Sequence, residues 1–405
     1  MADTPPLADV KIVDFMWVAA GPAATRVLAD YGATVVRVES ACRPDTSRTL
    51  SPFLGLPPER EDSVLFHNMN AGKRMLALDL GVPAGRAVAL DLVRWADVVA
   101  ESFSPKAMRA WGLDYPALRA VKSDVIMVST CLMGQTGPLA GFAGFGNLAA
   151  AITGFTDLCG WPDRPPAGPF GAYTDYIAPR YITAVVLAAL DHRRRTGEGQ
   201  FVDLSQAETA LHFLAPATLD YTVNGRVQRA CGNRDRDAAP HAVYPAAGDN
   251  RWIAIAVHDD AQFAALCDVI GRGDLATEAR FATAEGRRAH QDALDEHVAA
   301  WSRRQDAHAA ERALQARGVP ASAVQNSRDL LADPQLAARG HFVRLTHPTR
   351  GSTMVEGSRF RLSRTPAQMP TAAPTLGRDT ADVLRSLLGY GDARIAELEA
   401  AGVLA

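Results

Sequence analysis

The 405-residue sequence has few cysteines and lacks the common short catalytic motifs. Its five cysteines are scattered and include no CxxC pair, which favours free thiols in a reducing compartment over a disulfide framework or a zinc site. The HExxH, EF-hand, P-loop and GxSxG patterns are also missing, so these metal, phosphate-binding and serine-hydrolase signatures are excluded. We therefore predict no bound metal.

Long apolar segments and an excess of one charge are missing as well. No apolar run approaches the ~18 residues of a membrane span, and the N-terminus lacks the basic and apolar regions of a secretory signal. Lys and Arg number 42 against 45 Asp and Glu, for a net charge of -3. A nucleic-acid binder usually carries a basic excess. We expect a soluble, cytoplasmic protein with no membrane or nucleic-acid partner.

The sequence does contain short apolar runs that alternate with helical patterns. This alternation is typical of an α/β fold with a doubly wound parallel sheet and right-handed crossovers. The first β-α-β unit lacks GxGxxG, so we interpret it as structural and Glu39 as a strand-end carboxylate, not as a nicotinamide-dinucleotide site. The predicted strands of this layer are residues 10–16, 34–39, 75–80, 97–101 and 124–130, and its helices are residues 23–31 and 84–95.

Two composition changes predict the domain boundaries. Residues 223–240 are polar and turn-rich, and residues 319–325 look extended after a helical stretch. We divide the chain into an N-terminal part (1–222), a small α+β domain with flanking linkers (223–325) and a C-terminal part (326–405). In the last part we predict strands at 342–346 and 359–362 and a helix at 380–388.

An ordered set of motifs between Leu7 and His341 resembles the class III CoA-transferases, the family of formyl-CoA transferase, carnitine CoA-transferase and α-methylacyl-CoA racemase. The motifs include VAAGP at 18–22, LADYGATVVRVE at 28–39, LDL at 78–80, ADVVAESF at 96–103, GQTGP at 134–138, RRRTGEGQ at 193–200 and CGNR at 231–234. The resemblance implies CoA transfer between carboxylic acids, with an acyl-CoA and an acid as substrates and no prosthetic group.

The resemblance also implies an architecture. The large domain would be Rossmann-like and built from both chain ends, with the smaller domain inserted between two linkers. Two chains would thread through each other as interlocked rings. We expect a homodimer, with a heteromer left open.

The family's nucleophilic aspartate corresponds to Asp175. Taken alone, an aspartate at this position is typical of a helix cap. We instead expect the helix to begin at Pro179, because proline lacks the N–H that an Asp175 cap would require and suits the first helical position. Asp175 would then lie in the preceding turn, where the helix dipole favours the ionised carboxylate that a nucleophile needs.

The resemblance assigns further residues to the site. The backbone amides of Val18, Ala19 and Ala20 would stabilise an oxyanion, or else form a plain strand-to-helix loop. Coenzyme A would contact the following residues: Val18, Ser40, Arg43, Leu78, Asp79, Leu80, Ser102, Phe103, Lys106 and Arg109. Trp17, Phe145 and Tyr173 suggest a partly apolar acyl group, aromatic or dicarboxylic, with succinyl-CoA as donor.

Departures from the family pattern define the alternatives. The racemases carry a histidine where this chain has Phe145, so an acyl-CoA racemase or isomerase is disfavoured. Transferases usually have a tyrosine and an acid in place of Phe145 and Gly146, and a glycine in place of Pro179. The glycine-rich lid of formyl-CoA transferase is missing, which disfavours oxalate or formate exchange. A non-catalytic CoA-binding subunit of a heteromer stays open.

Overall fold

A computed structural model describes residues 4–369 and 371–405. The chain divides into two compact units. The first comprises Met1–Thr156, Gly168–Val227 and Gln335–Ala405, and the second comprises Asp157–Ala167 and Gln228–Pro334. The second unit contains most of the predicted small domain, together with Asp157–Ala167, a segment that the sequence analysis assigned to the N-terminal part.

The elements of the described residues follow in chain order. The strands are β1 (Lys11–Asp14), β2 (Thr34–Glu39), β3 (Arg74–Ala77), β4 (Val98–Glu101), β5 (Ile126–Cys131), β6 (Phe201–Ser205), β7 (His241–Pro245), β8 (Trp252–Ala256), β9 (Ala321–Ala323), β10 (Phe342–His347) and β11 (Gly351–Glu356). The α-helices are α1 (Ala20–Asp30), α2 (Val64–Asn70), α3 (Pro83–Trp95), α4 (Pro105–Trp111), α5 (Tyr115–Val121), α6 (Gly146–Ile152), α7 (Phe155–Leu158), α8 (Tyr173–Thr196), α9 (Gln206–Leu211), α10 (Ala215–Asn224), α11 (Asp260–Val269), α12 (Ala284–Ala289), α13 (Gln291–Ser302), α14 (Ala307–Gln315), α15 (Ser327–Ala332), α16 (Pro334–Arg339), α17 (Thr380–Ser386) and α18 (Asp392–Ala400).

The first unit contains a six-stranded sheet in the order β3-β2-β1-β4-β5-β6. All five pairings are parallel, with Ile12 of β1 opposite both Val35 of β2 and Val98 of β4. The order reverses direction between β1 and β4. In open parallel sheets, ligands bind outside the carboxyl ends of the strands at such a switch point.

Both faces of this sheet are buried. Ile12 points to one face, with α1 and α8, whereas its neighbour Val13 points to the other, with α3. This explains why the strands read as continuous apolar runs in the sequence.

The five predicted strands of the sheet are confirmed, with ends that differ by at most three residues and with both ends of β2 as predicted. The sequence analysis did not predict β6. In Phe201–Ser205, Leu204 and Ser205 are buried while the first three residues are partly or fully exposed, so this edge strand has no apolar run.

The remaining strands form small antiparallel sheets. In the second unit, β7-β8-β9 pack against α11, α13 and α14 around an apolar core. In the first unit, β10 and β11 form a hairpin in which Phe342 pairs with Glu356. The predicted strand at 359–362 is wrong, because the hairpin register ends at Glu356 and Phe360 instead stacks on Tyr31.

The described residues contain neither a candidate membrane-spanning helix nor a candidate metal site. None of the helices there is both long and apolar enough to cross a bilayer. Within residues 4–369 and 371–405, no group of three or more His, Cys, Asp and Glu side chains is arranged to hold a metal ion.

Candidate active site

A cavity of about 220 Å³ lies at the carboxyl edge of the parallel sheet, at the switch point between β1 and β4. Its walls come from the segments that follow β1, β4 and β5, and from the first residues of α8 and α9. The lining residues are Trp17, Val18, Ala19, Ala20, Gly21, Ser102, Phe103, Ser104, Thr130, Cys131, Leu132, Ala140, Phe142, Ala143, Gly144, Phe145, Asp175 and Gln206.

Asp175 lies in the first turn of α8 and is 7 % exposed. Gln206 donates a hydrogen bond from Nε2 to Oδ1 of Asp175 and another, of 3.0 Å, to Oγ1 of Thr174. The backbone N–H of Gly146 also donates to the Asp175 carboxylate. Among the described lining residues, Asp175 carries the one carboxylate.

The prediction that the helix begins at Pro179 is wrong. The helix α8 starts at Tyr173, so Pro179 lies inside it. Proline has no N–H to donate to the carbonyl of Asp175 four residues earlier, and the helix tolerates this loss near its start. The carbonyl of Pro179 still accepts a 2.9 Å hydrogen bond from Oγ1 of Thr183.

Burial raises the pKa of Asp175, and the hydrogen bonds from Gln206 and Gly146 offset part of this effect. Both donors are neutral, and no Lys, Arg or His lines the cavity among the described residues. A buried carboxylate without a cation keeps its charge at a cost in free energy. That cost makes it a more reactive nucleophile than a paired carboxylate.

Gly146 is packed directly against the Asp175 segment. A Cβ at this position would lie 2.7 Å from the Asp175 nitrogen and 2.8 Å from its Oδ1. The absence of a side chain at residue 146 therefore fits the local packing.

The loop after β1 has a strained conformation at Val18, whose φ is 66°. The Val18 N–H donates to both carboxylate oxygens of Asp45 at 3.1 Å, which fixes this conformation. The Val18 amide is thus occupied. The amides of Ala19 and Ala20 have no acceptor among the described residues, so two of the three predicted oxyanion donors are free.

Buried ion pairs stabilise the conformation of this loop. Asp45 pairs with Arg37, which also donates a 2.7 Å hydrogen bond to the carbonyl of Met16. Glu39 accepts a 2.7 Å hydrogen bond from Nε of Arg48. Glu39 is the last residue of β2, the strand-end carboxylate that the sequence analysis predicted, and it is buried in an ion pair.

A second pair lies next to this network. Nζ of Lys73 is 2.9 Å from Oδ2 of Asp14, and the other Asp14 oxygen accepts a 2.8 Å hydrogen bond from the N–H of Met16. These contacts fix the start of the loop that carries Trp17 to Ala20.

The predicted CoA-binding residues divide into two groups. Val18, Ser102 and Phe103 line the cavity, and Oγ of Ser102 accepts a 2.8 Å hydrogen bond from the Trp17 N–H. The others lie outside it, although they also follow carboxyl ends of strands or belong to α4. They are Ser40, Arg43, Leu78, Asp79, Leu80, Lys106 and Arg109.

Some residues of the outer group are engaged within the protein. Leu78 is buried in the core, and Oδ1 of Asp79 accepts a 2.7 Å hydrogen bond from the Gly81 N–H. Ser40 donates to the carbonyl of Ala405 at 3.2 Å. The charged groups of Arg43, Lys106 and Arg109 are on exposed side chains, and Arg109 lies 3.8 Å from Asp114.

Of the predicted substrate residues, Trp17 and Phe145 line the cavity and Tyr173 does not. The Tyr173 ring instead packs edge-on against Phe155, with 5.4 Å between ring centroids. Sequence reasoning missed Gln206, the residue that holds Asp175. Recognition of β6 would have placed Gln206 at the carboxyl edge of the sheet.

The comparisons with known proteins agree in one assignment. The family model of CoA-transferase family III matches residues 7–380. The chain is 32 % identical over 399 residues to the succinyl-CoA–D-citramalate CoA-transferase of Chloroflexus aurantiacus, covering 98 % of each chain. It is 33 % identical over 387 residues to the succinate–glutarate CoA-transferase of Agrobacterium fabrum, covering 95 % of this chain and 96 % of the other.

The fold comparison gives the same answer. The crystal structure of a CAIB/BAIF family protein from Brucella suis has a TM-score of 0.88 and 31 % identity, and the match covers 95 % of this chain and 100 % of that one. The chain therefore belongs to CoA-transferase family III, which confirms the predicted family. It is a CoA-transferase, an enzyme that uses CoA thioesters as substrates.

Proposed function

We propose that Asp175 is the covalent nucleophile of a CoA transfer from an acyl-CoA donor, such as succinyl-CoA, to a carboxylic acid acceptor. The observation that carries this proposal is the position of the Asp175 carboxylate. It is held by Gln206 and Gly146 in a cavity at the switch point of the sheet, and it has no cation beside it among the lining residues.

The first step would be attack by Oδ2 of Asp175 on the thioester carbonyl. The C–S bond breaks, CoA leaves as the thiolate, and a mixed acyl–aspartyl anhydride remains. The free amides of Ala19 and Ala20 would stabilise the negative charge on the carbonyl oxygen during this attack. The ion pairs of Asp45 and Asp14 keep these amides in place by fixing the loop.

The second step would return the CoA thiolate to the aspartyl carbonyl. The donor acid leaves as a carboxylate that carries the former Oδ2, and an aspartyl-CoA thioester forms. The acceptor acid then attacks this thioester, and the thiolate attacks the new anhydride at the acceptor carbonyl. The products are the acceptor's CoA thioester and a regenerated Asp175 carboxylate.

The long CoA molecule would extend from this cavity along the carboxyl edge. Ser102 and Phe103 would contact its pantetheine arm in the cavity, and the segments with Ser40 and with Leu78, Asp79 and Leu80 would receive the nucleotide. The exposed cations Arg43, Lys106 and Arg109 are the groups available to the phosphates. The fold is Rossmann-like in this proposal, which the strand order supports.

The acyl group would contact aromatic side chains. Trp17, Phe103, Phe142 and Phe145 line the cavity, which supports a substrate with a partly apolar body.

A second copy of the chain would complete the molecule as an interlocked dimer. Large apolar side chains on α6, on α9 and α10 and on the short turn between α9 and α10 are exposed in the single chain, which is unfavourable for a monomer. They include Leu148, Ile152, Leu211, Phe213, Leu219 and Tyr221. We propose that the partner covers them. A heteromer and a cytoplasmic location stay predictions of the sequence.

The alternative functions have less support. An α-proton exchange needs a base in addition to a group that holds the substrate, and Cys131 and Asp175 are the titratable side chains in the described lining. Burial raises the pKa of the Cys131 thiol, so it stays protonated and is a poor base. A non-catalytic subunit would not require the ordered contacts around Asp175.

Trapping of the acyl-enzyme tests the proposal. The protein is mixed with succinyl-CoA and hydroxylamine, and its intact mass and peptides are analysed by mass spectrometry. A hydroxamate on Asp175 that is missing in Asp175→Asn supports the nucleophile. Asp191→Asn is the matched control, because Asp191 lies exposed on the same helix. Measurable CoA binding without an adduct from any of several acyl-CoA donors would contradict the proposal.

A further inference from the structure

Gln206 is brought to the cavity by the sheet and not by the helix that carries Asp175. The pairing of Cys131 with Ser205 places the end of β6 beside the end of β5, and Gln206 follows directly as the first residue of α9. Oγ of Ser205 accepts from the N–H of Glu208 and caps this helix. The Ala207 N–H donates to the carbonyl of Leu132 at 2.9 Å, which fixes the backbone next to Gln206.

The side-chain amide of Gln206 is 7 % exposed and uses its nitrogen for two contacts. It donates to Oδ1 of Asp175 and to Oγ1 of Thr174. The Thr174 hydroxyl in turn donates to the carbonyl of Gly146 at 3.1 Å. This arrangement fixes which way the amide points, since the nitrogen faces two oxygen atoms.

We propose that Gln206 is a catalytic residue of this transferase and that its amide, with the backbone N–H of Gly146, forms an oxyanion site for the Asp175 carbonyl. The proposal rests on the proposed role of Asp175 as nucleophile. Before the reaction, the contact from Gln206 holds Oδ1 and leaves Oδ2 to attack the thioester.

The step that needs this site is the return of the CoA thiolate. The sulfur lone pair forms a bond to Cγ of Asp175, and the Cγ=Oδ1 π electrons move onto Oδ1. The negative charge therefore develops on the atom that already accepts from Gln206. When the carbonyl re-forms, the Cγ–Oδ2 bond of the anhydride breaks and the donor acid leaves with that electron pair. Neutral N–H donors stabilise such a charge without a proton transfer.

The packing around Gly146 explains why this role falls to residue 206. A Cβ on residue 146 would lie 2.8 Å from Oδ1 of Asp175 and 2.8 Å from Oγ1 of Thr174. No side chain fits between these atoms. An orienting group must therefore reach Asp175 from another element, and Gln206 does so from α9.

Two substitutions and a control test the proposal. Gln206→Leu removes the donor while filling a similar volume, and Gln206→Glu keeps the shape but replaces the amide with a carboxyl group. Gln291→Leu is the matched control, because Gln291 is also a buried glutamine with an amide hydrogen bond, here to the carbonyl of His241. Circular dichroism and thermal unfolding report whether each variant folds.

For Gln206→Leu we expect kcat to fall by roughly 10²–10³-fold, the cost of one oxyanion donor, with little change in KM for the acyl-CoA. The acid limb of kcat/KM should move to higher pH. The other titratable groups at or beside the cavity are Tyr176 on the same helix, Cys131 on the cavity wall and Glu101 at the end of β4. For Gln206→Glu we expect a new alkaline limb as well, because two adjacent carboxyl groups must share one proton to form the hydrogen bond.

Different results would contradict the proposed role of Asp175 and the proposed role of Gln206. Without an Asp175 hydroxamate in the wild-type enzyme, the proposed function fails and the role of Gln206 fails with it. If the wild-type enzyme forms the hydroxamate and both folded Gln206 variants keep its kcat and pH profile, the proposed function stands and the role of Gln206 is overturned. If Gln206→Leu does not fold, the pH profile of Gln206→Glu decides: an unchanged profile overturns the role.

Discussion

Two groups of buried carboxylates lie at the same edge of the sheet and differ in what surrounds them. Asp14 and Glu39 are paired with Lys73, Arg37 and Arg48. Burial alone would raise the pKa of Asp14 and of Glu39, but these cations outweigh it and the pKa of each carboxyl lies below its usual range.

Asp175 differs because its hydrogen-bond donors, Gln206 and Gly146, are neutral, and burial raises its pKa. A buried carboxylate can therefore serve two purposes in this protein, depending on whether a cation lies beside it. The paired carboxylates stabilise the loop after β1. The unpaired carboxylate keeps its lone pairs available, which is what a nucleophile requires. We expect substitutions in the two groups to affect different properties.

The largest expected effect is on activity, in Asp175→Asn. Loss of the proposed covalent nucleophile should lower the rate of CoA transfer by about 10⁴-fold or more. The free energy of unfolding at neutral pH should stay the same or increase. A raised pKa means that the ionised carboxylate destabilises the folded state above that pKa, and Asn removes this charge. Steady-state kinetics measures the rate of CoA transfer, and urea unfolding measures the stability. An Asp175→Asn variant that is less stable than the wild type and still transfers CoA would contradict the difference between Asp175 and the paired carboxylates.

The largest expected effect on stability is in Asp14→Asn. This change leaves the ammonium group of Lys73 buried without its carboxylate, and breaking such a pair costs about 3–5 kcal/mol. Urea unfolding at neutral pH checks the value. Arg195 and Asp191 form a matched exposed pair at 2.9 Å, and Asp191→Asn should change the free energy of unfolding by less than about 1 kcal/mol. Equal effects in the two variants would contradict the structural role of Asp14.

Gly146→Ala tests the packing around Asp175. The added methyl group would press against the Asp175 nitrogen and Oδ1, so we expect a loss of about 1–3 kcal/mol of stability and a clear drop in kcat. Gly141→Ala is the control, because nothing lies within 4 Å of a Cβ at that position. If Gly146→Ala behaves like Gly141→Ala, the described contact with Asp175 is wrong.

Catalytic activity and the stability of the fold should depend differently on pH. In the proposed mechanism Asp175 must be ionised to attack. We therefore expect kcat/KM to fall tenfold per pH unit below its pKa, which burial raises above the ~3.9 of an ordinary Asp. Asp14 and Glu39 have lowered pKa values in the folded protein. The stability that their ionised carboxylates contribute is therefore fully present above the pKa of the same groups in the unfolded chain. It is lost as the pH falls through the lowered pKa values. Activity should therefore disappear at a higher pH than the fold, and reversibly.

Glu101 provides the control for this pH profile. Burial raises the pKa of Glu101 to about 7, and its carboxylate accepts a 2.7 Å hydrogen bond from the Phe103 N–H beside the cavity. Glu101→Gln should keep the acid limb if Asp175 causes it. A limb that disappears in this variant would assign the limb to Glu101.

The smallest effects are expected at the exposed cations. Arg43→Ala and Lys106→Ala should each raise KM for the acyl-CoA a few-fold without changing kcat, because exposed charge pairs contribute about 1 kcal/mol or less. The effect should shrink at high ionic strength. Arg119→Ala, on an exposed side chain of α5, is the control. An effect on kcat would mean that these residues act on the reacting atoms.

Much of the fold follows from local patterns in the sequence. The buried strands β1 and β2 read as apolar runs because both faces of the sheet are covered. The strand β6 does not, since three of its five residues are partly or fully exposed. Missing β6 also hid Gln206, whose contact with Asp175 joins residues 31 apart in the sequence.

The candidate active site could also be predicted only in part from the sequence. The identity of Asp175 as a candidate came from ordered motifs, but its place inside α8 depends on how that helix packs, and Pro179 suggested a later start. Likewise, sequence alone could not show that the Val18 amide is occupied by Asp45. That contact depends on the buried pair of Arg37 and Asp45, which the fold assembles across the loop.

Covalent catalysis by Asp175 is tested most directly by the transfer of oxygen-18 from an acid to this residue. The enzyme is incubated with succinyl-CoA and succinate labelled with oxygen-18 in its carboxylates, or with another acyl-CoA and its labelled acid if that pair is preferred. The peptide that contains Asp175 is then analysed by tandem mass spectrometry. Each cycle through the anhydride leaves an oxygen of the attacking acid on Asp175, so we predict a labelled carboxylate there after turnover. Turnover that leaves Asp175 unlabelled would contradict covalent catalysis by this residue.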